Sequence, residues 1–116
     1  MGRQGGVAGR IARGEVRLCR FQPPDKTRPV VVLTRDVVID HLASVTVVPI
    51  TSTIRGVSSE VVLSEDDGLK GPCAVNLHNV VTIRQSELGR RVAQLSSARM
   101  QEICRALGFA LGCDGV

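Results

Sequence analysis

At 116 residues the chain has room for one domain with a modest hydrophobic core. Aliphatic side chains must fill that core, because Trp and Tyr are absent and Phe21 and Phe109 are the only aromatic residues. The formal net charge of +4, carried mostly by arginine, permits a nucleic-acid partner without requiring one. No segment has the roughly 20 consecutive apolar residues that cross a bilayer, so we expect no membrane association.

The cysteine pattern argues against a metal centre. Cys19, Cys73, Cys104 and Cys113 form no CxxC pair, and only two histidines could complete a ligand set. This spacing matches no zinc template, so we expect neither a metal nor a cofactor. Each cysteine stands among apolar residues, as buried free thiols do. The pattern favours a reduced, cytoplasmic protein.

The N-terminal region divides into a tail and two strands. Residues 1–13 carry four glycines and three arginines without an apolar signal core, which predicts a flexible basic tail ahead of a single domain over residues 14–113. Gly14–Arg20 alternates in hydropathy, with Val16 and Leu18 on one face, and this period predicts a strand. After a proline-containing loop, the continuous apolar run Pro29–Thr34 predicts a strand buried on both faces.

The middle of the chain contains two further predicted strands. Arg35–Ala43 is ambiguous and compatible with a helical turn. Val45–Ile50 predicts a third strand, in which Pro49 argues for an edge position or a bulge. A polar loop then leads to Glu60–Leu63, which predicts a fourth strand. The acidic, glycine-containing segment 64–72 predicts a solvated turn.

The C-terminal third adds three short strands and a helix. Cys73–Leu77, Val80–Ile83 and Arg90–Leu95 are predicted as strands. Either Ser96 or Ser97 is a good N-cap for the helix that follows. Its expected inner face is Met100, Ile103, Cys104, Leu107 and Leu111, with Arg99, Glu102 and Arg105 facing away and Gly112 as the stop. The fold class is therefore mainly β with a C-terminal helix, as a small closed or partly open barrel.

Polar residues next to apolar strands are the candidates for chemistry, because nucleophile elbows and phosphate-binding glycine loops are missing from the sequence. Arg28 immediately precedes a buried strand, and Thr51, Ser52 and Thr53 leave the third strand together. An arginine, hydroxyl groups and free backbone N–H groups in one place can bind phosphate without a metal. A surface arginine and ordinary turn chemistry explain the same residues, so spacing alone leaves both interpretations open.

Three blocks of sequence, read together, resemble the MazF/PemK toxin family. They are RGEV at Arg13–Val16, RPVVVLT at Arg28–Thr34 and VVPITST at Val47–Thr53. The VVTIRQSELGRRVAQLS run from Val80 and the terminal amphipathic helix follow in the family's order. The similarity spans about residues 13–112, nearly the whole chain.

This resemblance implies an SH3-like barrel, a homodimer, and metal-independent cleavage of single-stranded RNA to a 2′,3′-cyclic phosphate and a 5′-hydroxyl. It also implies a cognate MazE-like antitoxin whose acidic C-terminal segment blocks the RNA groove. By the family pattern, Arg28 and Thr51 lie at the active site. Asp25, in the same loop as Arg28, is a further candidate as a catalytic carboxylate.

Five residues are expected to contact the RNA: Arg35, Ser52, Thr53, Arg55 and Arg84. Two other functions compete with the ribonuclease. One is a non-catalytic inhibitor similar to the CcdB gyrase poisons, and the other is a plain nucleic-acid-binding barrel. The Arg28 and Thr51 blocks favour the ribonuclease, because the gyrase poisons carry their function on a terminal helix.

Overall fold

The structure, a computed structural model, describes residues 10–21 and 26–113. Within these residues seven strands and two helices follow in chain order: β1 (Glu15–Arg20), β2 (Thr27–Val32), α1 (Asp36–Ile39), β3 (Ser44–Thr51), β4 (Glu60–Leu63), β5 (Cys73–Asn76), β6 (Val81–Arg84), β7 (Leu88–Gln94) and α2 (Ser97–Leu111). Single 3-10 turns follow β4, β5 and β6. Every predicted strand is present, and no end is shifted by more than two residues.

The strands form one antiparallel, curled sheet with the order β4-β5-β3-β2-β1-β7, while β6 pairs with the first half of β3. Among the described residues β4 and β7 pair with no further strand, so the sheet is barrel-like and open. The mainly β fold with a C-terminal helix is confirmed. No helix in the described part of the chain is long and apolar enough to span a membrane.

Strand β3 is internal and its register with β2 continues without a shift at Pro49, so the prediction of an edge position or a bulge from Pro49 is wrong. On one side Pro49 pairs with Val30 of β2. On the other side β3 pairs with β6 up to Val47 and with β5 from Ile50 onward. Pro49 lies in the interval between these two partners, where no ladder hydrogen bond requires its missing N–H group.

Hydrophobic cores on both faces of the sheet explain the continuous apolar run of β2. Val30, Val31 and Val32 are fully buried, and successive side chains of a strand point to opposite faces. Val31 belongs to the core that packs under α2, whereas Val30 and Val32 belong to the core on the other face. The prediction that this strand is buried on both faces is confirmed.

The N-terminal boundary and the alternation of β1 need correction. Ile11 is buried in the second core, so residues 10–13, which we expected in a flexible tail, pack on the domain. Residues 1–9 lie outside the described residues.

Strand β1 is also buried on both faces. Its Arg17 is 1% exposed and its Nε atom donates to Glu15 Oε1 at 2.7 Å, and this ion pair allows a charge to replace an apolar side chain.

Helix α2 begins after Ser96, whose hydroxyl oxygen accepts a hydrogen bond from the Arg99 N–H group, and ends at Gly112 in the left-handed conformation. Its buried residues are Met100, Ile103 and Ala106. Cys104 and Leu111 are exposed, so their placement on the inner face is wrong, because the packed stripe runs through position 106 instead.

Two of the four free cysteines are buried or half-buried and two are exposed. Burial raises the pKa of Cys19, with a further contribution from the charge of Glu87, and burial likewise raises the pKa of Cys73. Cys104 and Cys113 are exposed, so the expectation of four buried thiols is wrong for these two residues.

Candidate active site

The antiparallel pairing of β2 with β3 brings Arg28 and Thr51 together. The ladder pairs Val30 with Pro49 and Val31 with Val48. Continued by two residues, this register places Arg28 opposite Thr51 on the same face of the sheet. Both residues line one cleft of about 220 Å³. Its other described lining residues are Pro49, Thr53, Arg55, Glu60, Asn76 and Asn79.

The polar ends of Arg28 and Thr51 are available to a ligand. Arg28 is exposed, and within residues 10–21 and 26–113 no acceptor or carboxylate engages its guanidinium group. The Thr51 hydroxyl oxygen accepts a hydrogen bond from the Thr53 N–H group at 3.1 Å. This bond fixes the oxygen and leaves the hydroxyl hydrogen free to donate. Asp25, the candidate carboxylate, lies outside the described residues.

A carboxylate holds the loop between β3 and β4 at the cleft. Glu60 Oε2 accepts a hydrogen bond from the Arg55 N–H group at 2.8 Å, and Glu60 Oε1 accepts one from the Gly56 N–H group at 2.7 Å. Gly56 has a φ of 72°, a left-handed conformation that favours glycine. We call this arrangement the Glu60 clamp. It fixes the backbone from which the Arg55 side chain reaches the cleft.

The end of β5 contributes the side-chain amide of Asn76 to the cleft. Asn76 pairs with Glu60 across β5 and β4, and its Oδ1 atom caps the following 3-10 turn by accepting the His78 N–H group at 3.0 Å. The same Oδ1 atom accepts a hydrogen bond from the buried Ser59 hydroxyl at 3.2 Å. Four neighbouring strands, β2, β3, β5 and β4, therefore present polar side chains to one cleft.

The assembled groups suit an anionic, phosphate-containing ligand. Arg28 and Arg55 supply positive charge, and Thr51 and Thr53 supply hydroxyl groups. Glu60 is the single carboxylate among the lining residues that the structure describes, and both of its oxygens already accept backbone N–H groups. In the described part of the chain no three His, Cys, Asp or Glu residues come together as a metal site would need.

The structure brings four of the predicted site residues into the cleft and leaves three outside. Arg28, Thr51, Thr53 and Arg55 line it. Ser52 is exposed and is not among the described lining residues. Arg35 precedes α1, and Arg84 pairs with Ser44 at the start of β3. Ser44 and Thr51 are at opposite ends of β3, so Arg84 lies at the end of β6 away from the cleft.

Sequence reasoning missed Glu60, Asn76 and Asn79. A glutamate that begins a strand and an asparagine that ends one resemble ordinary surface residues. One signal was available for Asn76, because an asparagine between an apolar strand and a turn is a typical cap. No local pattern indicates that Glu60 and Asn76 lie in the same cleft as Thr51, since that depends on the order of β3, β5 and β4 in the sheet.

Comparison with known proteins assigns the chain to a family. Residues 12–111 match the family profile described as PemK-like, MazF-like toxin of type II toxin–antitoxin system. The chain belongs to this toxin family. Among curated PemK/MazF proteins, it is 44% identical over 104 residues to the probable endoribonuclease MazF5 of Mycobacterium tuberculosis, covering 89% of this chain and 94% of that protein. It is 42% identical over 92 residues to endoribonuclease MazF3 of the same organism, covering 79% and 89%.

Solved structures of PemK/MazF proteins share the architecture. The Mycobacterium tuberculosis toxin MazF-mt6 has a TM-score of 0.79 at 38% identity, covering 86% of this chain and 98% of that one. An endoribonuclease from a mycobacterial species, solved in complex with its cognate antitoxin, has a TM-score of 0.79 at 30% identity, covering 89% and 96%. A MazE-MazF structure from Deinococcus radiodurans, at 21% identity and a TM-score of 0.73, shares the fold.

Proposed function

We propose that this chain is the toxin of a type II toxin–antitoxin system and a metal-independent, sequence-selective endoribonuclease that cleaves single-stranded RNA. The observation that carries the proposal is the juxtaposition of Arg28 and Thr51 in one polar cleft, within a chain of the PemK/MazF family. The curated relatives at 42% and 44% identity are named as endoribonucleases, one of them as probable.

The proposed reaction is an intramolecular transesterification. The 2′-oxygen of a ribose attacks the adjacent phosphorus and loses its proton, and the bond from phosphorus to the 5′-oxygen of the next nucleotide breaks as that oxygen gains a proton. The products are a 2′,3′-cyclic phosphate and a 5′-hydroxyl. The reaction needs no redox partner and no external nucleophile.

Arg28 and Thr51 have separate roles in this reaction. Negative charge builds up on the non-bridging oxygens as the phosphorane forms, and the Arg28 guanidinium group stabilises that charge more strongly in the transition state than in the ground state. The Thr51 hydroxyl group donates to a non-bridging oxygen and holds the phosphate for in-line attack. Its orientation is set by the hydrogen bond from the Thr53 N–H group. Asp25 stays a candidate for proton transfer.

RNA and an antitoxin are the proposed partners. Arg55 and Thr53 extend the cleft from Arg28 along the β3–β4 loop, and this cationic strip suits a polyanionic strand. Ser52, Arg35 and Arg84 are proposed contacts for more distant parts of the RNA. A MazE-like antitoxin with an acidic C-terminal segment would cover the same strip by charge complementarity. One relative of the family has been solved with its cognate antitoxin.

We further propose a cytoplasmic homodimer. All four cysteines are free, which suits a reducing compartment. Large apolar side chains such as Val37, Leu42, Phe109 and Leu111 are exposed, and burying side chains of this kind against a second copy would be favourable. Sedimentation of the purified protein tests the dimer, because a monomer at micromolar concentration would contradict it.

Cleavage in the presence of excess EDTA tests the reaction. We expect the purified protein to cut single-stranded RNA, and the downstream fragment to accept phosphate from polynucleotide kinase at its new 5′-hydroxyl. Arg28→Ala and Thr51→Val should each lower the cleavage rate about 10²–10³-fold, the usual cost of losing one transition-state donor. Thermal unfolding should hardly change, because Arg28 is exposed and Thr51 is only half-buried.

Arg105→Ala is the matched control. Arg105 is exposed on α2, so its substitution removes the same positive charge outside the cleft. It should cleave at close to the unmodified rate. A strict requirement for a divalent cation would overturn the proposed mechanism. Binding of RNA without any cleavage would instead support the nucleic-acid-binding barrel.

A further inference from the structure

The side-chain amide of Asn76 is held in one orientation by its surroundings. Its Oδ1 atom lies 3.0 Å from the His78 backbone nitrogen, and a backbone N–H group can only donate. The atom that faces His78 must therefore be the carbonyl oxygen and not the amide nitrogen. The buried Ser59 hydroxyl donates to the same oxygen, which gives the acceptor end of Asn76 two partners.

The donor end of the same amide has no partner in the described structure. Within residues 10–21 and 26–113 no acceptor takes a hydrogen bond from Asn76 Nδ2. Asn76 lines the cleft and is only half-buried. Because the carbonyl end is turned toward Ser59 and the 3-10 turn, the NH2 group is the end left for the cleft, with two N–H donors.

The sheet register places this donor beside Thr51 but farther from Arg28. β3 pairs with β5 at Ile50–Val75 and Thr51–Ala74, and one further step places Asn76 beside Pro49. Asn76 is thus a diagonal neighbour of Thr51, at a typical Cα separation of about 7–8 Å, and lies two strands away from Arg28. A phosphate bound between Arg28 and Thr51 would leave Asn76 opposite the adjoining nucleotide.

We infer that Asn76 is a substrate-binding residue whose NH2 group donates to a hydrogen-bond acceptor on the nucleotide next to the scissile phosphate. This inference rests on the proposed ribonuclease function. The acceptor is a base carbonyl or ring nitrogen, or a phosphate oxygen. An amide whose oxygen is already engaged acts as a donor only, so it discriminates against a base edge that presents its own N–H group at that position.

Asn76→Asp tests the donor with little change in shape. The aspartate can still accept from Ser59 and His78, but it replaces two N–H donors by an acceptor. We expect the melting temperature to stay close to that of the unmodified protein, whereas Asn76→Ala lowers it by removing the cap. We expect kcat/KM for RNA to fall ~10–100-fold in Asn76→Asp, as for the loss of one hydrogen bond to a polar ligand.

The control for the added charge is Asn79→Asp, which introduces the same charge in the same cleft. Charge repulsion is screened by salt, so the loss in Asn79→Asp should largely disappear at high ionic strength, while the loss in Asn76→Asp should persist. Cleavage sites mapped on a long RNA separate the two kinds of acceptor. A base acceptor changes the nucleotide preference at one position, and a phosphate acceptor lowers cleavage equally at all sites.

A direct measurement on the unmodified protein does not depend on any variant folding. An RNA with a 2′-deoxy nucleotide at the scissile position lacks the nucleophile and stays intact. We expect its binding to shift the Asn76 side-chain NH2 proton resonances downfield. Unchanged resonances in the saturated complex, or equal losses in Asn76→Asp and Asn79→Asp at every salt concentration, would overturn the inference. Failure of the unmodified protein to cut all-ribose RNA would overturn the proposed function instead.

Discussion

Glu60 is an acidic residue in a cleft that we assign to a polyanion, and its hydrogen bonds explain why it is there. Its two carboxylate oxygens accept hydrogen bonds from the N–H groups of Arg55 and Gly56, so the negative charge is partly satisfied by these donors. A carboxylate is a better acceptor for two N–H groups than any neutral side chain of similar size. The negative charge therefore orders a loop that carries positive charge into the cleft.

Glu60→Gln should weaken RNA binding even though it removes a negative charge. The glutamine amide nitrogen would face one of the two backbone N–H groups, so the clamp loses an acceptor and the loop gains freedom. We expect a rise in KM of about 3–10-fold with a nearly unchanged kcat, because Arg28 and Thr51 belong to β2 and β3. Steady-state cleavage of a short RNA measures both constants.

Glu65→Gln is the matched control for charge, since Glu65 is exposed in the turn after β4. It should leave KM unchanged or lower it slightly. Tighter RNA binding by Glu60→Gln than by the unmodified protein would show that the residue acts only as a repulsive charge.

At the scale of the element, α2 is held by its ends as well as by its apolar face. Ser96 caps the N-terminus, and Gly112 ends the helix with a φ of 78°. Between them, Arg99 donates to Asp67 at 2.9 Å and to Glu102 at 3.0 Å, and the hydrogen bond to Asp67 contributes most to raising the Arg99 pKa. Asp67 belongs to the turn after β4, so this contact fixes the helix against the sheet.

Ser96→Ala should lower the free energy of unfolding by about 1 kcal/mol, because it removes the side-chain acceptor for the Arg99 N–H group. Urea unfolding followed by circular dichroism measures the change. Ser97→Ala is the control one residue later, at the first helical position, where the serine is exposed and alanine is a better helix former. Equal losses in the two variants would contradict the assignment of Ser96 as the cap.

At the scale of the whole molecule, a buried ion pair connects the N-terminal segment to the sheet. Arg17 donates to Glu15 at 2.7 Å, to the Gly89 carbonyl at 2.9 Å and to the Arg10 carbonyl at 3.1 Å. Glu15 Oε1 also accepts the Ala12 N–H group at 3.0 Å. The pair thus joins residues 10–12, β1 and β7, which are distant in the sequence.

Arg17→Met should destabilise the protein by about 3–5 kcal/mol, because it removes the buried partner of the Glu15 carboxylate. The remaining cation, Arg91, is more than half exposed and lies 3.8 Å from Glu15 Oε2. The control is the exposed pair of Arg10 and Asp40, with side-chain exposures of 70% and 56%. Asp40→Asn removes that pair and should cost less than about 1 kcal/mol. Chemical denaturation of both variants compares the two. A loss in Arg17→Met as small as that in Asp40→Asn would mean that the buried pair is not needed for stability.

Local patterns predicted the strands and α2 well, because alternation, apolar runs and a serine cap depend on near neighbours. The burial of Arg17 was not predicted. A charged side chain is buried only where partners satisfy it, and two partners of Arg17 lie on other segments of the chain. The position of Pro49 depended on where β3 changes partner from β6 to β5. Arg28 and Thr51 were found from their sequence blocks, whereas Asn76 and Glu60 join the cleft only through the order of the strands.

The Glu60 clamp binds the main chain of the β3–β4 loop and leaves its side chains free. Ile54, Arg55 and Val57 are exposed, so each can be exchanged without releasing the loop, whereas Gly56 is required by its φ of 72°. Duplicated genes could therefore acquire different RNA preferences by single substitutions on a constant backbone. An inserted residue between Thr51 and Glu60 would break the clamp, so we expect such copies to diverge in loop sequence while loop length is conserved.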